Sequence, residues 1–105
     1  MTDDMRKLVL VMTVGLCDAI EKKALSIVEA QHYLFSPRTM KLFDNDLEVR
    51  DIIHGSTEFE DLAQLVPDAL DDAIAGVKRQ ALAALGKSPP CDFQEELWMN
   101  KIKLF

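Results

Sequence analysis

An all-α fold is predicted by three features of this 105-residue chain. Two long stretches, Met5–Lys22 and Pro67–Leu85, repeat apolar residues at helical spacing. The segments between them each open on a residue suited to cap a helix. Only the last six residues alternate polar and apolar in a way that would suit an extended segment. The expected architecture is a compact bundle of about five to six helices, with long first and last helices, short helices between and a docked C-terminal tail. No internal repeat is visible.

The first helix is expected over Met5–Lys22, because Met5, Leu8, Val9, Met12, Leu16, Ala19 and Ile20 fall on one helical face. A buried strand competes, since Val9, Val11, Thr13 and Val14 are β-branched. The flanks favour the helix. Thr2 can cap it, Asp3 and Asp4 suit its positive end, and Lys22 and Lys23 suit its negative end. Leu10, Val11 and Val14 widen the stripe nearly all the way round, so the helix is expected to be buried between other elements, with Leu16 in the core. Gly15 is expected to admit a neighbouring helix closely. The uncharged run from Leu8 to Cys17 is well short of the ~20 residues that span a bilayer.

Ser26 and Glu29 form an S-x-x-E capping box for a second helix, with Leu25 placed to staple onto Ala30. Pro37 bars Ser36 from helical geometry and suits the first position of the next helix, which makes Ser36 its cap. Met40, Leu42 and Phe43 give that helix its apolar side, and Asp44-Asn45-Asp46 ends it. Asp46 then caps Leu47–His54, whose Leu47, Val49, Ile52 and Ile53 lie mostly on one side, and Gly55 is expected to terminate it. Thr57 and Glu60 repeat the capping box for Glu58–Leu65, with Phe59, Leu62, Leu65 and Val66 expected to face inward. Pro67 and Asp68 start the last long helix, which carries Leu70, Ala73, Ile74, Val77, Ala81, Leu82 and Leu85 and is expected to stop at Gly86.

Residues 1–86 thus read as one helical domain, and 87–105 as a Pro-containing linker with a C-terminal tail of the same domain. Trp98, Ile102, Leu104 and Phe105 make the tail too apolar to stay in water, since each large side chain gains roughly 1.5 to 3 kcal/mol on burial. It is expected to dock on its own domain or on a second subunit, giving a homo-oligomer. The charged Asp3, Asp4, Arg6 and Lys7 interrupt any apolar leader, so Cys17 and Cys91 are expected as reduced thiols of a cytoplasmic protein.

Charge is distributed unevenly. Between Asp44 and Asp72 stand ten acids against Arg50 alone, while the chain as a whole carries −6. A phosphate backbone would be repelled by that stretch, so no nucleic-acid partner is expected. His32 and His54 are the only imidazoles and fall on different helices without a third ligand, so no metal or other cofactor is expected. Ser26 and Ser36 are occupied as caps, and no Gly-rich phosphate loop or C-x-x-C is present, so no enzyme is expected.

One part of the chain carries a family pattern. Ser26, Ile27, Glu29 and Ala30, the Leu34-Phe35-Ser36-Pro37 turn with Thr39, then Gly55, Glu58, Glu60, Asp61, Leu65 and Pro67 resemble a family of short bacterial proteins catalogued as a domain of unknown function. The chain departs from the pattern by one inserted residue, Ser56 or Thr57, and by its length past Gly86. The resemblance implies a bacterial origin and brings no activity, cofactor or site residue with it.

Two functional classes follow. The first is a non-enzymatic interaction protein, inhibitor-like or immunity-like, whose acidic face meets a basic protein. Capping and helix dipoles account for Asp46, Glu60 and Asp68, which leaves Glu48, Asp51, Glu58, Asp61, Asp71 and Asp72 as candidate partner-binding residues. The second is a small-ligand binder or enzyme with an apolar pocket among the helices, lined by Tyr33, Phe35, Phe43 and Phe59.

Overall fold

The computed structural model describes residues 3–90, so the expectations for Cys91 and for a docked, self-associating tail lie outside the described residues. Within them the chain is all-α: α1 (Asp3–Glu21), α2 (Ile27–Tyr33), α3 (Pro37–Leu42), α4 (Leu47–Thr57), α5 (Phe59–Leu65), a 3₁₀ turn (Pro67–Ala69) and α6 (Leu70–Lys87). Only α1, α4 and α6 reach three turns, and the others are shorter pieces. The bundle therefore has fewer substantial helices than the five to six expected.

Local chemistry sets most of the boundaries. Ser26 Oγ accepts from the Glu29 N–H (3.1 Å), Ser36 Oγ from the Thr39 N–H (3.3 Å) and Asp46 Oδ1 from the Val49 N–H (3.2 Å), each satisfying a donor at a helix start. At the end of α1, Lys23 takes φ 59°. The Ala24 N–H reaches Ala19 O (2.9 Å) and the Lys23 N–H reaches Ile20 O (3.0 Å), a Schellman closure with lysine where glycine is usual.

Four expected boundaries are wrong. Gly55 does not end α4, which continues to Thr57. A Cβ at Gly55 would lie 3.1 Å from Val77 Cγ2, so the glycine is needed for the approach of α6 rather than for a turn. Thr57 does not cap α5, because its hydroxyl donates to His54 O (2.7 Å) and Glu58 occupies the cap position without a side-chain bond. Gly86 lies inside α6, which ends after Lys87 with the Ser88 N–H on Leu85 O. Pro67 opens a 3₁₀ turn, and α6 itself begins at Leu70.

The helix α6 is the element against which α1 and α4 both pack. Arg6 reaches Ser88 at one end of α1 and Asp18 reaches Lys78 toward the other, so α1 and α6 run antiparallel. Glu48 meets Lys87 while Gly55 faces Val77, so α4 is antiparallel to α6 as well. The buried residues of α6 are Ile74, Val77, Ala81 and Ala84. The buried stripe of α1 is Val9, Leu10, Thr13, Cys17 and Ile20. That is about one residue round from the expected face, and Leu16 is only partly buried. Thr13 enters the core because its hydroxyl donates to Val9 O (2.8 Å) within its own helix, and buried Ser56 does the same to Ile53 O (2.6 Å). Gly15 faces outward with nothing near it, and Val11 is exposed, so α1 is not enclosed on all sides.

Phe35, Phe43 and Phe59 fill the other half of the core, with Phe35 edge-on to Phe59 at 5.8 Å between ring centroids. Five apolar side chains expected inside are instead outside: Leu42 at 60 % exposure, Leu47 at 65 %, Leu65 at 78 %, Val66 at 51 % and Leu82 at 49 %. The first four stand at helix ends, and Leu82 lies on the outer side of α6. Among the described residues no helix is long and apolar enough to cross a membrane.

Candidate partner-binding surface

The corner between α5 and α6 is built by Pro67. Proline pushes the residue before it out of helical geometry, and Val66 accordingly sits at φ −141°, ψ 66°. The Val66 N–H still closes onto Leu62 O (2.9 Å), and the Ala69 N–H onto Val66 O (2.9 Å), so the corner is tight while Leu65 and Val66 project from it. Glu58 at the cap of α5 and Asp61 and Leu65 on it follow i, i+3, i+7 and are all exposed. Beyond the corner, Asp68, Asp71 and Asp72 follow i, i+3, i+4 on the turn and the start of α6, all exposed. Along the chain, exposed acids thus stand on both sides of an exposed apolar pair. Asp68, Asp71 and Asp72 also complement the positive end of α6, which has no side-chain cap. Glu60 is used internally, accepting from Gln31 Nε2 (3.0 Å) to tie α2 to α5.

The candidate acids divide by partner. Asp61, Asp71 and Asp72, with Asp51, form no ion pair among the described residues, and Glu58 has only His54 Nε2 at 3.7 Å, which pairs when the imidazole is protonated. Glu48 is different. It accepts from Arg6 (2.6 Å) and from Lys87 (2.6 Å), and these cations hold its carboxyl below the usual range, Lys87 contributing most. Asp46, besides capping α4, binds Arg6 Nε. The Arg6 guanidinium is held more firmly protonated, chiefly by Asp46, although burial opposes this. Glu48 and Asp51 border a shallow furrow of about 280 Å³ between α4 and α6, away from the α5 corner. Sequence reasoning grouped six acids that the fold separates into a clamp at one end and an open set at the other.

A second charged cluster joins α1 to α6: Lys78 donates to Asp18 (3.0 Å) and Glu21 (2.7 Å), and Lys22 to Asp18 (2.7 Å). Lys22 first and Lys78 next lower the Asp18 carboxyl. Cys17 beside it is buried, and burial pushes its thiol up to about 12, with Glu21 adding to the effect and Lys78 opposing it. This is an inert core thiol.

The proposed aromatic pocket does not form. Phe35, Phe43 and Phe59 are core side chains and Tyr33 is 63 % exposed. Phe43 also floors a groove of about 520 Å³ at the α3–α4 corner, with Leu42, Leu47, Asp3, Arg6, Asn45 and Asp46 around it. Among the described residues no three His, Cys, Asp or Glu side chains converge as a metal site requires. His32 and His54 are both exposed.

Fold and surface together define a small protein that is all-α over the described residues, with charged clusters joining α1, α4 and α6. The chain belongs to the family described as Protein of unknown function (DUF3969), whose model matches residues 1–100. The match runs well past Gly86, so most of the C-terminal segment is part of the family pattern rather than a departure from it. No curated protein and no solved structure matches the chain.

Proposed function

We propose that this protein is a non-enzymatic binding module, inhibitor-like or immunity-like, whose contact surface is the α5–α6 corner and whose partner is a basic protein. The observation that carries the reading is the exposure of Leu65 and Val66 at the end of a helix that buries Phe59 and half-buries Leu62 and Ala63. Exposed apolar side chains at a protein contact are typically ringed by polar groups that orient the partner. Here the ring is Glu58, Asp61, Asp68, Asp71 and Asp72, all of one sign, which selects a cationic partner and repels nucleic acid. Glu48 is left out of the surface, its charge being met by Arg6 and Lys87.

Affinity capture from cells of the source organism tests this, with the native protein and a Glu58→Lys, Asp61→Lys, Asp71→Lys variant as paired baits. The expected result is a basic protein held by the first and lost by the second, with both baits equally helical. Capture of the same proteins by both baits overturns the proposal.

A further inference from the structure

The groove at the α3–α4 corner has no tenant among the described residues, yet it sets the exposed leucines Leu42 and Leu47 among the polar Asp3, Arg6, Asn45 and Asp46, over the buried Phe43. We propose that it is the docking site of this chain's own C-terminal segment, residues 91–105. The first argument is the point of departure. Arg6 lines the groove and also donates to Ser88 Oγ (3.4 Å), while Lys7 Nζ donates to the Pro89 carbonyl (3.0 Å). The chain therefore leaves α6 pinned to the same end of α1 that forms the groove wall.

Reach is the second argument. Trp98 lies eight residues beyond Pro90, which at ~3.3 Å per residue allows about 26 Å, enough to turn back across the corner. Chemistry is the third. The segment's last eight residues carry Trp98, Ile102, Leu104 and Phe105 with Lys101 and Lys103 between them, its acids Asp92, Glu95 and Glu96 all preceding Trp98, and the groove offers the two leucines with exposed Asp3 and Asp44 nearby. Tethering raises the local concentration of the segment to about millimolar, so modest contacts suffice to hold it.

Trp98 is the only tryptophan in the chain, so its fluorescence in the intact protein reports docking directly. The native protein should show Trp98 shielded from acrylamide at every protein concentration. Replacing Leu42→Asp or Leu47→Asp should weaken docking about tenfold each, seen as red-shifted emission and stronger quenching. Both side chains already face solvent, so unchanged far-UV circular dichroism should accompany the shift. Leu65→Asp, at the other corner, should leave Trp98 as it was. The proposal is overturned if Trp98 is solvent-exposed in the native protein, or if the two groove variants leave it shielded. It is overturned equally if Leu65→Asp is the variant that exposes it, or if shielding fades on dilution, which would make the tenant a second copy's tail.

Discussion

The two ends of α4 use acidic residues in opposite ways. At its start, Asp46 and Glu48 are met by Arg6 from α1 and Lys87 from α6, so three helices are tied together by charge. Past its far end, Asp61, Asp68, Asp71 and Asp72 face solvent around Leu65 and Val66, with no cation paired to them among the described residues. Composition along the chain does not distinguish these groups. What separates them is whether the antiparallel packing on α6 brings a cation alongside, as it does for Asp46 and Glu48 where the start of α1 and the end of α6 meet. Acid content alone is therefore a poor guide to an outward-facing surface, and acid content without cations beside an uncovered apolar corner is a better one.

The largest expected effect contrasts two apolar residues of one short helix. Phe59 is fully buried against Phe35, and Phe59→Ala should destabilise by about 3 to 5 kcal/mol through the space it leaves. Leu65→Ala, six residues on, should stay within about 0.5 kcal/mol. Urea melts of both variants decide it, and a comparable loss at Leu65 would mean the corner is part of the core.

Next in size is the contrast between acids. Asp46→Ala removes a helix cap together with a partly buried ion pair and should lose about 1 to 2 kcal/mol, whereas Asp61→Ala should lie within about 0.5. Acid titration sharpens the contrast. Lys87 and Arg6 hold Glu48 below its ordinary value, and Lys22 and Lys78 do so for Asp18. Groups with depressed folded-state values add stability that is fully present above about pH 4.3 and is lost as pH falls through the folded value. The urea midpoint should therefore drop on acidification below about pH 4.3, and drop less in Glu48→Gln.

The smallest effect compares glycines. Gly15→Ala, on the open side of α1, should stabilise by up to about 1 kcal/mol. Gly55→Ala meets Val77 at 3.1 Å and should fall clearly short of that gain, or reverse it. Thermal melts of the pair measure the closeness of α4 to α6 directly.

How much of this was legible in the sequence depends on the range of the interaction. The caps at Ser26, Ser36 and Asp46 were readable because each is a bond from a side chain to a backbone N–H three residues on. Gly55 was misread because its reason lies across the interface with Val77, which local spacing cannot reveal. The stripe of α1 was misphased because Thr13 and Cys17, small residues that are buried, do not register as apolar. All six candidate acids are exposed, yet the capture of Glu48 by Arg6 and Lys87, 42 and 39 residues away, is a tertiary fact. Leu65 and Val66 were missed because an apolar helical pattern says which side chains share a face, not where that face runs out of neighbours. The signal available was Pro67, which ends α5 directly after them.

The central claim is that the α5–α6 corner works outward while the start of α4 works inward. With a captured partner purified, its association rate should be measured at low and high salt against two variants, one carrying Asp61→Asn, Asp71→Asn and Asp72→Asn, the other Glu48→Gln. Screening shortens from about 10 Å at 0.1 M salt to about 3 Å at 1 M, so steering by the corner should be strong in the first condition and nearly absent in the second. The account predicts that the triple variant associates more slowly at low salt and matches the native protein at high salt, while Glu48→Gln keeps the native rate and loses stability. Equal rates for native and triple variant at low salt, or slowing by Glu48→Gln alone, would contradict it.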